Sequence, residues 1–428
     1  MKIANNGNSI SFSHSAWLKF LDNTIVYALF FLLLADSFTG IIVNEGISFV
    51  RPSNVLKVLL MLSMAIRLVI IDKSFLFFAT FYLSWIFALL AVFYYTNSSL
   101  SMIGREVNFL LKVFLPLLSY YYFRHLFITR GQWMMLKTNK IIWFNFWILA
   151  INLILGILGF GYAEYTIGDR SIGSSGYFTA GNEVAAVMII LQAFVLFQCW
   201  SKKQKYYLPL AAICFFIAVC KATKVAMLGS LLCILLIPLI SEHTRIFKLT
   251  KLKFRMVAII LIALFLILNA GVLLIEEIGL MDRWADAFRK TDLLTTIMSG
   301  RNLYLRDAWY LYTNDYSLLE QVFGRGLDPF VKSMIPFYAK EKNVEMDFFD
   351  IFFCYGGLGL ILVFVPYLKM GFQSLSMFKS YKSIYSPAVL VSNILLLLVS
   401  FIAGHVIGGG MVAVFLGLIN ALAFYEEA

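Results

Sequence analysis

Apolar stretches about as long as a bilayer is thick recur along nearly the whole chain, and this repetition constrains the fold more than any single motif. They fall at 24–43, 55–71, 74–95, 107–127, 141–162, 182–200, 206–220, 225–240, 256–275, 351–367, 388–404 and 411–424. Side chains are 61% hydrophobic and only 14% charged, too few polar groups to clothe a water-facing surface. A soluble enzyme, a disulfide scaffold, a coiled coil and a disordered chain are thereby excluded. The expectation is an all-α polytopic membrane protein with about 12 transmembrane helices. The polar start of the chain lacks the pattern of a secretory signal, so no cleaved leader is expected.

Lysines and arginines favour the cytoplasmic ends of spans. Here they cluster in alternate loops: Arg124, Arg130, Lys137 and Lys140; Lys202, Lys203 and Lys205; Arg245, Lys248, Lys251, Lys253 and Arg255; Lys369, Lys379 and Lys382. These loops agree on one orientation, with both termini cytoplasmic. The chain then divides into helices 1–9 over 1–275, a large outer loop over 276–350 and helices 10–12 over 351–428. That loop carries nine basic and thirteen acidic residues, so the net charge of +11 belongs to the inner face. It is a topology signal and not a nucleic-acid footprint. Within the loop, Tyr304, Ala308 and Leu311 recur at helical spacing, which predicts a partly helical cap.

Neither the five cysteines nor the four histidines, His14, His125, His243 and His405, show metal-ligand spacing. The cysteines lie in or beside apolar runs and read as packing residues. No metal and no cofactor is expected.

Basic residues on the outer side are the informative minority, because arginine and lysine there bind phosphate or pair locally. Arg170 stands in a Gly- and Ser-rich loop, with Gly181 after ten intervening residues, and reads either as part of an anion cradle or as a solvated turn arginine. Lys221 and Lys224 flank a tight turn, where they either snorkel to headgroups or hold a diphosphate. Arg301, Arg306 and Arg325 lie in the large loop, the first two on different helix faces. Glu345, Asp347 and Asp350 precede the tenth span. The first two are candidate general bases, whereas Asp350 reads as a helix-end marker. Asp36, Arg67, Lys112 and Glu183 sit near span ends, where they line a cavity or snorkel.

The Arg170–Gly181 spacing, the KATK turn, SGR at 299–301 with Trp309, GRG at 324–326 and the GGLGL run from Gly356 resemble the O-antigen polymerase and ligase superfamily, the Wzy-type polymerases in particular. The resemblance covers 170–359. Lys224 stands where the family commonly has arginine, and Glu345 and Met346 stand where the ligase branch carries a His-Asn pair. No histidine occurs between 276 and 350, so that form of ligase chemistry is absent.

The resemblance implies a GT-C-like architecture and a metal-independent, inverting glycosyltransferase at the periplasmic side of a bacterial inner membrane. Its donor is an undecaprenyl diphosphate-linked oligosaccharide and its acceptor another lipid-linked repeat unit, giving a surface polysaccharide. Arg301 joins Glu345 and Asp347 as catalytic residues, while Arg170, Gly181, Lys221, Lys224, Arg306 and Arg325 bind the diphosphate or glycan. Membrane lipid and a polysaccharide chain-length regulator are the implied partners, and nucleic acid is not. A ligase, another polyprenyl-linked glycosyltransferase and a lipid-linked oligosaccharide flippase are the alternatives.

Overall fold

In hydrocarbon every backbone N–H and C=O must be satisfied within the protein, so the apolar runs have little choice but helix. The computed structural model describes residues 8–47, 49–71, 79–89, 91, 100–167, 170–179, 181–241, 254, 258, 292–380 and 383–426. Its helices are α1 (Asn8–Ala28), α2 (Leu32–Asn44), α3 (Pro52–Ile71), α4 (Ala79–Leu89) and α5 (Leu100–Ile157). A β-hairpin of β1 (Tyr162–Ile167) and β2 (Arg170–Gly176) leads to α6 (Gly181–Lys202), α7 (Tyr207–Lys221) and α8 (Lys224–Ile240). A cap follows, of α9 (Leu293–Met298), α10 (Arg301–Asn314), α11 (Leu318–Phe323), α12 (Leu327–Ser333) and α13 (Ile335–Tyr338). The chain closes with α14 (Asp347–Lys379), α15 (Ser386–Ile402) and α16 (Ala413–Ala421).

The chain is a multi-pass membrane protein. Among the described residues, five helical stretches are long and apolar enough to cross a bilayer: Ala16–Asn44, Pro52–Ile71, Ile103–Ile157, Gly181–Lys202 and Asp347–Lys379. Shorter apolar helices accompany them, and α16 with its 3-10 extension Leu422–Phe424 is well short of the roughly 20 residues a span needs. The expected ninth span, 256–275, lies outside the described residues apart from residue 258, so the count of about 12 remains an expectation.

Three local expectations are revised. The cytoplasmic loop expected between the fourth and fifth spans is helical, and α5 breaks only at Arg130, with φ −139° and ψ 41°. Gly131, the poorest helix former of that stretch, follows the break directly. Both halves of α5 return to one end: Lys112 lies beside Gly410, and Asn152 holds the hairpin through Tyr177 N at 2.6 Å. The Gly- and Ser-rich loop is instead the antiparallel hairpin, with Ala163 opposite Ser174 and Tyr165 opposite Ile172. The tenth span begins at Asp347, before its expected start, and kinks at Gly356, φ +66°.

Buried polar side chains tie the helices together. Asn145 donates to the Leu29 carbonyl at 3.1 Å and accepts from Leu33 N at 3.3 Å, satisfying backbone groups beside the 3-10 turn Leu29–Phe31 that separates α1 from α2. Asp22 accepts from Arg67 Nε and from the Tyr122 hydroxyl, each at 3.0 Å, and Asp36 pairs with Lys57 at 2.6 Å. These pairings give Asp36 and Arg67 a bundle-internal role. Asn420 accepts from Ser374 and Asn393, linking α14, α15 and α16.

Candidate functional site

The cap is built by turns that its own motifs specify. Ser299 and Gly300 both adopt left-handed conformations, φ +56° and +83°, which ends α9 and starts α10 at Arg301. Lys224, the first residue of α8, reaches the end of α9, donating to the Thr296 carbonyl and to Ser299 Oγ at 3.1 Å. A cation on the exposed carbonyls of a helix C-terminus is favourable. The SGR and KATK motifs therefore touch.

Arg301 is 8% exposed and turns into the cap. Its Nε donates to the Glu345 carbonyl at 3.0 Å, Nη2 to the Glu345 carboxylate at 3.1 Å and Nη1 to the Met298 carbonyl at 3.4 Å. Lys342 donates to the other Glu345 carboxylate oxygen and lies over the Tyr304 ring, 4.6 Å from its centroid. Glu345 itself holds φ +62°, a conformation that non-glycine residues rarely adopt. Asp350 fixes this geometry by accepting from Val344 N at 2.7 Å and Met346 N at 3.1 Å, on either side of Glu345. Burial pushes the Glu345 carboxyl up, but its bond to Lys342 and the charges of Lys342, Arg301 and His405 outweigh this and hold it below the usual carboxylate range.

Asp347, two residues on, is committed elsewhere. Its Oδ1 accepts from His405 N at 2.8 Å, and its Oδ2 from Ser400 Oγ, Val406 N and Ile407 N at 2.9–3.0 Å. Four donors make it the anchor of the segment between α15 and α16. The same segment is held by Glu183, which accepts from Met411 N at 2.9 Å, and it passes close to Phe109 and Lys112 of α5. A Cβ at Gly404 would stand 2.7 Å from the Glu345 carbonyl, so His405 follows a backbone pressed onto Glu345.

His405 was not singled out by motif or spacing, although the expected orientation makes it the one histidine of four on the outer side. That lone position was the signal available. Its backbone holds φ +64°, and among the described residues its imidazole has no hydrogen-bond or ion-pair partner.

The remaining sequence candidates are placed apart from this cluster. The Arg170 backbone opens β2, while its side chain lies outside the described residues. Gly181 opens α6 next to Glu164, where a Cβ would meet Glu164 Oε1 at 2.6 Å. Lys221 is fully buried and paired with Glu164, which also accepts from Ser175 Oγ at 2.5 Å. Lys221 and Lys224 thus serve different partners and do not form a joint clamp. Arg306 points to the surface, paired with its neighbour Asp307 at 2.9 Å. Arg325 folds onto Glu320 at 2.9 Å, the Asp315 carbonyl at 2.8 Å and the Tyr316 ring, which makes it a strut of the cap.

Among the described residues no group of three or more His, Cys, Asp or Glu is arranged to hold a metal ion. What the cluster offers is two cations on one carboxylate, an unpaired imidazole beside it, and a third cation at the adjoining helix turn. That arrangement suits an anionic group and a proton acceptor.

No curated protein and no solved structure shows significant similarity to the chain. Residues 281–425, which contain the cap and the last three helices, match the family model described as O-antigen ligase like membrane protein. The likeness of this segment supports, in general terms, a membrane transferase of polysaccharide or O-antigen assembly.

Proposed function

We propose that this protein polymerises undecaprenyl diphosphate-linked oligosaccharide repeat units into a surface polysaccharide at the outer face of the cytoplasmic membrane. The observation that carries the reading is the seat of Glu345: its carboxylate lies between Arg301 and Lys342, where two cations converge on one anion. A donor diphosphate carries more charge and more acceptor oxygens, and competes for the same cations.

In this reaction the anomeric carbon of the donor sugar loses its bond to the diphosphate oxygen, which keeps the electron pair. An acceptor hydroxyl oxygen forms the new bond from the opposite face, inverting the centre, and its proton passes to a base of the site. Arg301 and Lys342 stabilise the charge that develops on the leaving diphosphate, and Lys224 holds the SGR turn that presents Arg301. Arg170 is proposed to contact the donor or glycan from the hairpin, and a chain-length regulator is the proposed protein partner. The metal-independent route follows from this use of basic residues to neutralise the leaving group.

The polymerase reading rests on Glu345 and Met346 occupying the places of the ligase branch's His-Asn pair. The ligase reading has one observation in its favour, the family description matched by 281–425. One experiment separates them. Purified protein in liposomes is given the lipid-linked repeat unit alone, or together with a lipid A-core acceptor, and products are resolved by gel and mass spectrometry. A ladder growing by whole repeats without the core acceptor supports polymerisation. Transfer only to the core acceptor establishes the ligase, and unchanged donor that crosses the bilayer establishes a flippase.

A further inference from the structure

Resting on the transfer reaction proposed above, we infer that His405, from the segment between α15 and α16, is the general base that takes the proton of the acceptor hydroxyl. The reaction needs a proton acceptor, and the two carboxylates of the neighbourhood are poorly suited. Asp347 spends both oxygens on four donors, three of them backbone N–H groups of 405–407. Glu345 is gripped by Arg301 and Lys342, which stabilise its ionised form and weaken it as a base.

The imidazole answers what they lack. Among the described residues it has no hydrogen-bond or ion-pair partner, it is half-buried, and its backbone lies against Glu345 through Gly404. The segment is clamped by Asp347 on one side and by Glu183 on the other, which holds His405 in its left-handed conformation. Such local strain persists only where surrounding contacts over-determine it. The charged groups around it are Glu345, just before α14, Asp347 at the start of α14, Glu183 from α6 and Lys112 from α5, with Arg301 and Lys342 paired to Glu345. The proton moves from the acceptor hydroxyl to the imidazole as that oxygen bonds the anomeric carbon, and later passes to water.

The test is single-turnover transfer in liposomes, with lipid-linked repeat unit, across about pH 5.5–8, for wild type, His405→Asn, His405→Gly and Glu345→Gln. Asparagine and glycine tolerate the left-handed backbone, so either preserves the turn. The expected result is a wild-type rate that falls towards the acid end of this range. Both His405 variants are expected to lose at least about 100-fold in rate and the low-pH limb with it, while Glu345→Gln keeps the limb. A flat wild-type profile, or a His405 variant within about threefold of wild type, overturns the assignment. A wild-type protein inert toward the lipid-linked donor overturns instead the transferase reading beneath it.

Discussion

Gly324 and Gly356 meet backbone to backbone. A Cβ on Gly356 would stand 2.6 Å from Gly324 N and 2.4 Å from the Val322 carbonyl, and one on Gly324 would stand 2.1 Å from the Cys354 carbonyl. Both have positive φ, +87° and +66°, and Gly326 N completes the contact by donating to the Cys354 carbonyl at 2.8 Å. The GRG and GGLGL motifs are thus two sides of one joint, seating the cap on the kink of α14.

Gly324→Ala and Gly356→Ala are each expected to destabilise the protein, by about 1–2 kcal/mol from the backbone conformation alone and more from the overlap. Gly357→Ala, where a Cβ meets nothing within 4 Å, is the matched control. Thermal unfolding followed by size-exclusion of detergent-purified protein reads the difference. Equal melting temperatures for the three variants would contradict the joint.

Arg301→Lys keeps the charge and loses the fork that spans the Glu345 carbonyl, the Glu345 carboxylate and the Met298 carbonyl. Polymer formation is expected to fall about 10- to 100-fold, in line with the loss of charge-assisted hydrogen bonds. Arg306→Ala, at a side chain 72% exposed, should leave the rate within about twofold. Gel ladders from initial-rate assays give both values, and the reverse ranking would remove Arg301 from the site.

How much of this was legible follows from range. Helices at 52–71, 207–221 and 224–240 follow from local apolar runs and breakers, and they stand close to where those runs place them. That Arg301 and Arg306 do not share a helix face likewise follows from spacing, but which of them is buried does not. The β-hairpin was hidden because Gly and Ser report loop freedom, and only contacts such as Gly173 against Ala222 make that segment a hairpin packed on a turn. The same limit hid His405. Sixty residues separate it from Glu345, and no local period joins them; it is brought there by three carboxylates, Asp347, Asp350 and Glu183, that each bind backbone N–H groups.

Glu345 sets a pH dependence whose sign is fixed by its pairing. Its folded pKa is lowered, against an unfolded carboxylate value of about 4.3. The stabilisation it provides is therefore complete above the unfolded value and is lost as pH falls through the lower folded value. Melting temperatures of wild type and Glu345→Gln should differ at neutral pH and converge only in strong acid. A gap that closes between about pH 6 and 7 would show that the carboxylate is not held ionised by Lys342 and Arg301.

Lys221 and Glu164 form the other ion pair of functional interest, fully buried on the lysine side and placed where the hairpin, the start of α6 and the α7–α8 turn meet. Removing one member strands the other charge in a dry site, which typically costs about 3–5 kcal/mol, whereas removing both leaves no orphan. Lys221→Met and Glu164→Gln are each expected to lower stability severely, and the double variant to recover a large part of it. If Lys221 instead contacted the donor diphosphate directly, the double variant would recover folding but stay inactive. A double-mutant cycle on melting temperature, run beside the polymer assay on the same preparations, resolves the structural role from the binding one.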